Sequence, residues 1–335
     1  MSQNHYAMPQ KADKANGEQR QVGFELEFAG LSMKRVSEVL QQCFGGELDI
    51  RSQAEAELKT EELGDFVIEL DWSFGKKTAK ERAEQRAKEI GKAHADDPFM
   101  EWLTKLAGQL VPMEVVCPPI ELTRLKRLDR AIRLLRKAGA KGTEKSLHYA
   151  FGVHINPELP DTDAETIIRY LKAYAIAQDW LLKVHKVDLI RRVTPYIDCY
   201  PKDYLRKVLG YEGNESIETV IDDYLKLNPT RNRALDMLPL FKHLDEKRVT
   251  NTLDDPRINA RPTFHYRMPN CEIERPDWSL HCSWNVWCVI EALANDAEQL
   301  NTLTEQWLAH DRPLTFEKAP WHKTLNEIHQ NLSSA

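Results

Sequence analysis

The chain has 335 residues, 42% of them hydrophobic, which is enough for one large domain or two modest ones with a full core. Charged residues make up 29% and the net charge is -6, and because no basic stripe runs along the chain, the composition argues against a nucleic-acid-binding protein. The N-terminus lacks the apolar core of a signal peptide, and no stretch reaches the roughly 18 apolar residues of a membrane span. The six cysteines form no Cys-x-x-Cys pair. We therefore expect a cytoplasmic protein with reduced thiols and no membrane partner.

The polar residues 1–20 predict a disordered tail. Because no repeat or low-complexity linker follows, we expect one continuous domain over residues 21–335. Several short segments in it alternate between apolar and other side chains, which is typical of strands with unlike faces. These predicted strands cover residues 22–28, 66–73, 112–116, 148–156 and 262–268.

Helical periodicity fills the intervals between the predicted strands. Helices are predicted at residues 80–93, 99–110, 123–138, 164–185 and, in two pieces broken near Pro313 and Pro320, at 283–332. The first two make a helical insertion near residues 76–110, and the last two make a helical C-terminal part from about residue 283. The pattern predicts an α+β fold, in which helices pack on one face of an antiparallel sheet.

The second face of the predicted sheet carries acidic, imidazole and guanidinium groups but no lysine. Its members are Glu25, Glu27, Glu69, Asp71, Glu114, His148, His154, His265 and Arg267. Carboxylates two positions apart project roughly 6.6 Å apart from one side of a strand, and they repel each other unless cations lie close by. Carboxylate oxygens suit Mg²⁺ or Mn²⁺, and imidazole is a common metal ligand. The face therefore predicts a metal site, although a solvated pair explains Glu25 and Glu27 alone equally well.

Three of these positions have competing interpretations. Asp71 ends an apolar run, where a turn residue is the favoured interpretation of that position alone. Glu114 lies within an apolar strand, where a carboxylate is costly unless it is paired or bound to metal. His154 shares its face with His148 and Asn156, which favours a ligand over a structural histidine. Cys117, which follows Glu114, is predicted to be a buried structural thiol and not a nucleophile.

Arginine-rich segments at residues 191–198 and 231–236 predict contacts with an acidic substrate, with loop salt bridges as an equally good interpretation. The candidate substrate-binding residues are Arg191, Arg192, Asn232 and Arg233 in these segments, together with Asn156 on the polar face of the sheet. Glu272 and His148 are lower-ranked candidates, and Glu272 has the pattern of a salt-bridged surface residue. The sequence contains no glycine-rich phosphate loop or dinucleotide motif and no Gly-x-Ser-x-Gly elbow, so phosphate would have to be handled by metal and arginine.

Five short motifs occur in the order found in one known superfamily. They are Gly23-Phe24-Glu25-Leu26-Glu27, Asp71-Trp72-Ser73, Glu114 to Pro119 with Cys117 in place of Ser, Gly152 to Asn156, and His265-Tyr266-Arg267. Over roughly residues 21–290 the chain thereby resembles the carboxylate–amine ligase superfamily that contains glutamine synthetase and glutamate–cysteine ligase, and within it the amidoligase branch.

The resemblance implies a curved sheet that forms a funnel open at both ends, with nucleotide entering one side and the amino-acid substrate the other. It implies that Glu27 and Glu114, with Asp71 as a further candidate, hold one Mg²⁺, and that Glu25 and His154 hold a second one at the nucleotide phosphates. Arg267 would steady the transferred phosphoryl group. The departure is His265, where the synthetases carry a Glu, and the lost negative charge would weaken that metal site or favour a softer ion. Glu272 could compensate.

The activity implied by the resemblance is that of an ATP- and Mg²⁺- or Mn²⁺-dependent ligase, which joins the carboxylate of an amino acid or peptide to an amine through an acyl phosphate. Two other classes stay open. One is a metal-dependent hydrolase or phosphotransferase that uses the same carboxylates, and the other is a catalytically silent nucleotide-binding relative. The identities of the two substrates and any homo-oligomeric state also stay open.

Overall fold

The computed structural model describes residues 5–52, 54–70, 112–143, 151–187, 197–311 and 319–334. The predicted helical insertion near residues 76–110 lies outside the described residues. So do four of the predicted site residues, which are Asp71, His148, Arg191 and Arg192.

Nine strands form one antiparallel sheet within the described residues. Along the chain they are β1 (Gln21–Phe28), β2 (Glu47–Ile50), β3 (Glu55–Thr60), β4 (Gly64–Leu70), β5 (Met113–Val116), β6 (Ile120–Glu121), β7 (Val153–Pro157), β8 (Leu235–Asp236) and β9 (His265–Tyr266). Their order across the sheet is β2-β3-β4-β5-β1-β7-β9-β8, and β6 pairs with the first residues of β1. Strand β1 therefore lies inside the sheet, between β5 and β7.

Ten α-helices and one 3₁₀ helix accompany the sheet in the described part of the chain. The α-helices are α1 (Met33–Phe44), α2 (Leu128–Ala138), α3 (Ala164–Val184), α4 (Lys202–Leu209), α5 (Ile217–Leu227), α6 (Leu238–Leu244), α7 (Glu246–Thr252), α8 (Leu280–Ala294), α9 (Ala297–His310) and α10 (Trp321–Ser334). The predicted α+β fold is confirmed. None of the described helices has the length and apolar character needed to cross a bilayer.

Helices cover the apolar face of the sheet. The alternation in β1 buries Val22, Phe24, Leu26 and Phe28 completely or nearly so. Helices α3 and α8 pack where β9 continues that face, with the ring of Tyr266 centred 5.2 Å from that of Trp287. Helix α1 packs near the other edge through Phe44, which stacks on Phe66 of β4 at 4.8 Å. Because these helices cover the apolar face of the sheet, the polar side chains of the strands project from the opposite face.

Two helical predictions differ from the structure in their details. The helix predicted at residues 123–138 begins as a 3₁₀ helix, Leu122–Arg127, because Glu121 gives its first N–H groups no side-chain cap and the tighter turn satisfies them instead. It ends at Gly139 with a left-handed φ of 110°, as predicted. The C-terminal part contains a further break, because the Asp296 side chain accepts a hydrogen bond from the backbone of Gln299 and starts α9.

The polar composition of residues 1–20 predicted a disordered tail, whereas in the structure both ends of the described segment 5–20 contact the rest of the chain. The Tyr6 hydroxyl donates to Asp129 at 2.8 Å, and the backbone N–H of Ala7 donates to the Asn285 side chain at 2.9 Å. Arg20 is only 1% exposed. The prediction failed because it used the average composition of the segment, whereas a few of its residues make specific contacts that hold it in place.

Candidate functional site

Polar side chains from four neighbouring strands meet near the middle of the sheet. The register of β1 places Glu27 opposite Glu114 of β5 and Glu25 opposite His154 of β7. On β7 and β9, Ile155 is paired with Tyr266, so the same antiparallel register puts Asn156 beside His265 and His154 beside Arg267. Residues that are far apart in sequence, and that were predicted individually, thus share one part of one face.

Three donors surround the carboxylate of Glu25. Its Oε2 lies 2.7 Å from Nδ1 of His154, and its Oε1 accepts a 2.9 Å hydrogen bond from the Asn156 amide. The guanidinium of Arg261 lies 3.4 Å from Oε1. Burial on its own would raise the pKa of Glu25, but the hydrogen bond with His154 and the charge of the Arg261 guanidinium hold that pKa well below its ordinary value.

His154 stands between the two carboxylates of β1. Its Nδ1 contacts Glu25, while its Nε2 lies 3.7 Å from Oε1 of Glu27. The other oxygen of Glu27 accepts a 2.7 Å hydrogen bond from the backbone N–H of Gly152. This bond fixes the carboxylate at the point where β7 begins.

Two groups of ligand atoms on this face have the spacing of a metal site. One comprises Glu27, Glu114 and His154, the other comprises Glu25, His154 and His265, and within each group the ligand atoms lie within 4.8 Å of one another. The first group, with two carboxylates and one imidazole, suits Mg²⁺ or Mn²⁺, whereas the second, with two imidazoles, favours a softer divalent ion. The residues present therefore fit a divalent cation.

His265 is neutral in this setting, because burial holds its pKa well below the ordinary value. Its Nδ1 lies 2.6 Å from Oδ1 of Asn156. Directly opposite on β8 is Asp236, whose side chain accepts from the backbone N–H of Leu238 at 3.0 Å. Burial raises the pKa of Asp236 to about 7. This carboxyl group was not among the predicted site residues, because a two-residue strand leaves too short a pattern to be recognised.

Two arginines flank the polar cluster, which consists of Glu25, Glu27, Glu114, His154, Asn156 and His265. Arg267 is buried and donates through Nη1 to the backbone carbonyl of Arg231 at 2.8 Å. Arg261 is the other, and its Nε is buried with no hydrogen-bond partner among the described residues. Sequence reasoning missed Arg261, because it lies just before the predicted strand at residues 262–268, in a segment with no alternation to assign it to a face.

A cavity of about 610 Å³ adjoins the cluster on this side of the sheet. Asn156 and Arg261 belong both to its wall and to the surroundings of Glu25, and Asp65 and Thr263 contribute further polar groups. The cavity is large enough for a ligand of small to moderate size. A ligand there would reach the guanidinium of Arg261 directly.

The remaining predicted residues within the described part of the chain belong to neither group of ligand atoms. The Arg233 guanidinium donates to the backbone carbonyl of Cys199 at 2.8 Å, and the backbone carbonyl of Asn232 accepts from the backbone N–H of Asp198 at 2.8 Å. Glu272 pairs with Arg275 at 2.9 Å in the wall of a separate cavity of about 360 Å³. Burial raises the pKa of Cys117 to about 12, as expected for a structural thiol.

The model of a family described as "Putative amidoligase enzyme" matches residues 18–289. Neither the curated proteins nor the solved structures gave a match. The matched span contains the whole sheet and every member of the polar cluster.

Proposed function

The chain belongs to the amidoligase family, and on this premise we propose that it is an ATP-dependent ligase that joins a carboxylate to an amine with the help of a divalent cation. The observation that carries the proposal is the convergence of Glu27, Glu114 and His154 with Glu25 and His265 beside a cavity of about 610 Å³. Its substrates would be small molecules or peptides that carry the carboxylate and the amine.

Glu27, Glu114 and His154 would hold Mg²⁺ or Mn²⁺, because their donor atoms match what these ions prefer. When bound, such an ion neutralises negative charge on phosphate oxygens. Glu25 and His154, which the resemblance assigns to a second ion, have His265 as a third group with suitable spacing. The extra imidazole in place of a carboxylate leaves that second group with less negative charge.

The reaction would proceed in two displacements. A substrate carboxylate oxygen attacks the γ-phosphorus of ATP, ADP leaves, and an acyl phosphate forms. The amine nitrogen then attacks the acyl carbon, inorganic phosphate leaves, and the nitrogen gives up a proton to yield the amide. Much of the rate would come from holding the two substrates in line.

The arginines of this chain suit the anions of such a reaction. Arg267, beside His154 in the register, would hold the charge that develops on the transferred phosphoryl group. Arg261, in the cavity wall, would bind the substrate carboxylate. Arg191, Arg192, Asn232 and Arg233 are proposed as further substrate contacts, as their sequence context predicted.

The test is an assay with ATP, Mg²⁺ or Mn²⁺ and mixtures of amino acids and short peptides, in which ADP and phosphate are measured together with amide products by mass spectrometry. An acyl-phosphate route transfers one ¹⁸O from a labelled carboxylate to phosphate. We expect Glu114→Gln to lower this activity by at least about 100-fold, since it loses a proposed metal ligand.

Glu69→Gln is the matched control, because Glu69 lies opposite Glu114 in the register and is exposed. The Glu69→Gln variant should retain an activity close to that of the unaltered protein. Amide formation that is independent of ATP, or phosphate release that carries no ¹⁸O, would reject the ligase mechanism and favour the hydrolase or phosphotransferase.

His265 in place of the family's Glu keeps one other function open, that of a catalytically silent nucleotide-binding relative. Calorimetric titration with metal, with and without ATP, separates the two. A silent relative would bind nucleotide without producing ADP, whereas a ligase would turn it over once both substrates are present.

A further inference from the structure

The carboxylate of Glu25 accepts hydrogen bonds on both of its oxygens. His154 lies at 2.7 Å from one oxygen, and Asn156 and Arg261 lie at 2.9 and 3.4 Å from the other. Guanidinium and amide N–H groups are donors only, so these contacts require an acceptor carboxylate. A carboxylate occupied in this way resembles the outer partner of a metal-binding histidine more than a ligand.

This arrangement determines which nitrogen of His154 carries the proton. Because Glu25 can only accept, Nδ1 of His154 must carry a proton. In the neutral form of imidazole that ligates a metal, the lone pair of His154 therefore lies on Nε2, which is 3.7 Å from Oε1 of Glu27. Two lone-pair atoms facing each other repel, whereas two ligands at about 2.1 Å from one ion are separated by about 3 to 3.5 Å. The gap between Nε2 and Glu27 therefore suits a shared cation.

The same carboxylate acts on His265 through Asn156. Since the Asn156 amide nitrogen donates to Glu25, its oxygen must face Nδ1 of His265, 2.6 Å away. That oxygen can only accept, so His265 is also protonated on Nδ1 and keeps its lone pair on Nε2. One carboxylate thus sets the tautomer of both imidazoles.

We propose that Glu25 is a positioning residue that fixes both histidine tautomers, and that the cation is held by Glu27, Glu114 and Nε2 of His154. The family resemblance instead implies that Glu25 is itself the ligand of a second ion. This inference rests on the metal centre of the proposed function but not on the ligase reaction. It assigns one tightly bound ion to each chain.

Glu25→Gln tests the proposal through the histidines. An amide has one acceptor oxygen, whereas three donors converge on this side chain. If the Gln oxygen stays with His154, its NH₂ faces Asn156, which must turn and present its own NH₂ to His265. If the oxygen instead faces Asn156, the NH₂ meets Nδ1 of His154. In either case one imidazole changes its protonated nitrogen from Nδ1 to Nε2.

Two measurements follow this change, with Glu69→Gln as control. Histidine ¹⁵N spectra of the metal-free protein should show His154 and His265 protonated on Nδ1, and Glu25→Gln should move one of them to Nε2. Counting bound Mn²⁺ by electron paramagnetic resonance should give one ion per chain, bound about 10- to 100-fold more weakly in Glu25→Gln. Glu25→Asp, which keeps two acceptor oxygens, should restore part of the affinity.

Two bound Mn²⁺ ions, one of which is lost in Glu25→Gln while both histidines keep their tautomers, would make Glu25 a ligand and overturn the inference. His154 protonated on Nε2 in the unaltered protein would overturn it without any variant. Unchanged Mn²⁺ binding in Glu27→Gln would overturn the metal centre, and with it the proposed function. Expected spectra and Mn²⁺ binding without amide formation would leave the inference standing and reject only the ligase reaction.

Discussion

Charged side chains are buried in two regions of this molecule, and the two regions neutralise them differently. On the helix-covered side of the sheet, Arg20 and Glu291 form a bidentate ion pair with N–O distances of 2.7 and 3.0 Å. Tyr170 and Trp287 donate to the same carboxylate. On the polar face, the buried carboxylate of Glu25 meets His154, Asn156 and the partly exposed Arg261.

The ion pair is complete within the chain. Arg20 places all five of its N–H donors, on Glu291 and on the backbone carbonyls of Lys11 and Glu158. The polar cluster instead brings Nε2 of His154 to 3.7 Å from Glu27, and a neutral His154 that donates from Nδ1 to Glu25 has no proton to share with Glu27. A buried pair that balances its own charge holds the fold together, whereas a buried cluster that leaves lone pairs facing each other is suited to an external cation.

The largest expected effect comes from breaking the ion pair. Glu291→Gln leaves the buried charge of Arg20 uncompensated, and we expect a loss of about 3 to 5 kcal/mol in unfolding free energy. Denaturant titration measures it, and Mn²⁺ affinity should be unchanged. The double variant Arg20→Met with Glu291→Gln carries no buried charge and should recover part of the loss. A loss under about 1 kcal/mol in Glu291→Gln would contradict a structural role for the pair.

Loss of a carboxylate from the polar cluster should raise the free energy of unfolding, whereas loss of Glu291 should lower it. Glu27→Gln removes one of two like charges that face each other in the register, so the metal-free protein should gain about 0.2 to 1 kcal/mol in unfolding free energy. Mn²⁺ at a hundredfold excess over its Kd should stabilise the original protein by about 2.7 kcal/mol and leave this variant unchanged. Equal stabilisation of both proteins would place the ion elsewhere.

A third expected effect depends on pH and concerns Asp236. Its pKa is raised by burial from an ordinary 3.8 to about 7, so between these values the folded protein holds a proton that the unfolded chain releases. Stability therefore falls by up to about 1.4 kcal/mol for each pH unit gained in this window. Asp236→Asn should remove this slope in chelator-treated protein, with Asp65→Asn as the exposed control. Parallel curves for Asp236→Asn and the original protein would refute it.

The smallest effect is expected at Cys117, which lines the cavity close to the cluster. Because burial raises the pKa of this thiol to about 12, iodoacetamide at pH 8 should leave Cys117 unmodified in the folded protein. Cys117→Ser should retain activity within about twofold. Peptide mass spectrometry after labelling is the measurement, and rapid labelling of Cys117 would show that the thiol is activated.

The local alternation of side chains was sufficient to predict which face of the sheet carries most of the site residues. The alternation of β1 separated Glu25 and Glu27 from Phe24 and Phe28, and the structure buries those phenylalanines on the opposite face. The same alternation placed Glu114 and His154 on the polar face before any strand pairing was known. The alternation did not identify Arg261, because it lies in a loop, or Asp236, because its strand has only two residues.

The sequence by itself determined the α+β class and which side chains share a face, since the period of two along a strand depends only on near neighbours. Only the tertiary structure decided that Glu25 meets Asn156, 131 residues away, and Arg261, 236 residues away. The order of the strands and their register bring these groups together, and both depend on contacts between distant segments that no local pattern encodes. The hydrogen bonds that fix each imidazole follow from that register.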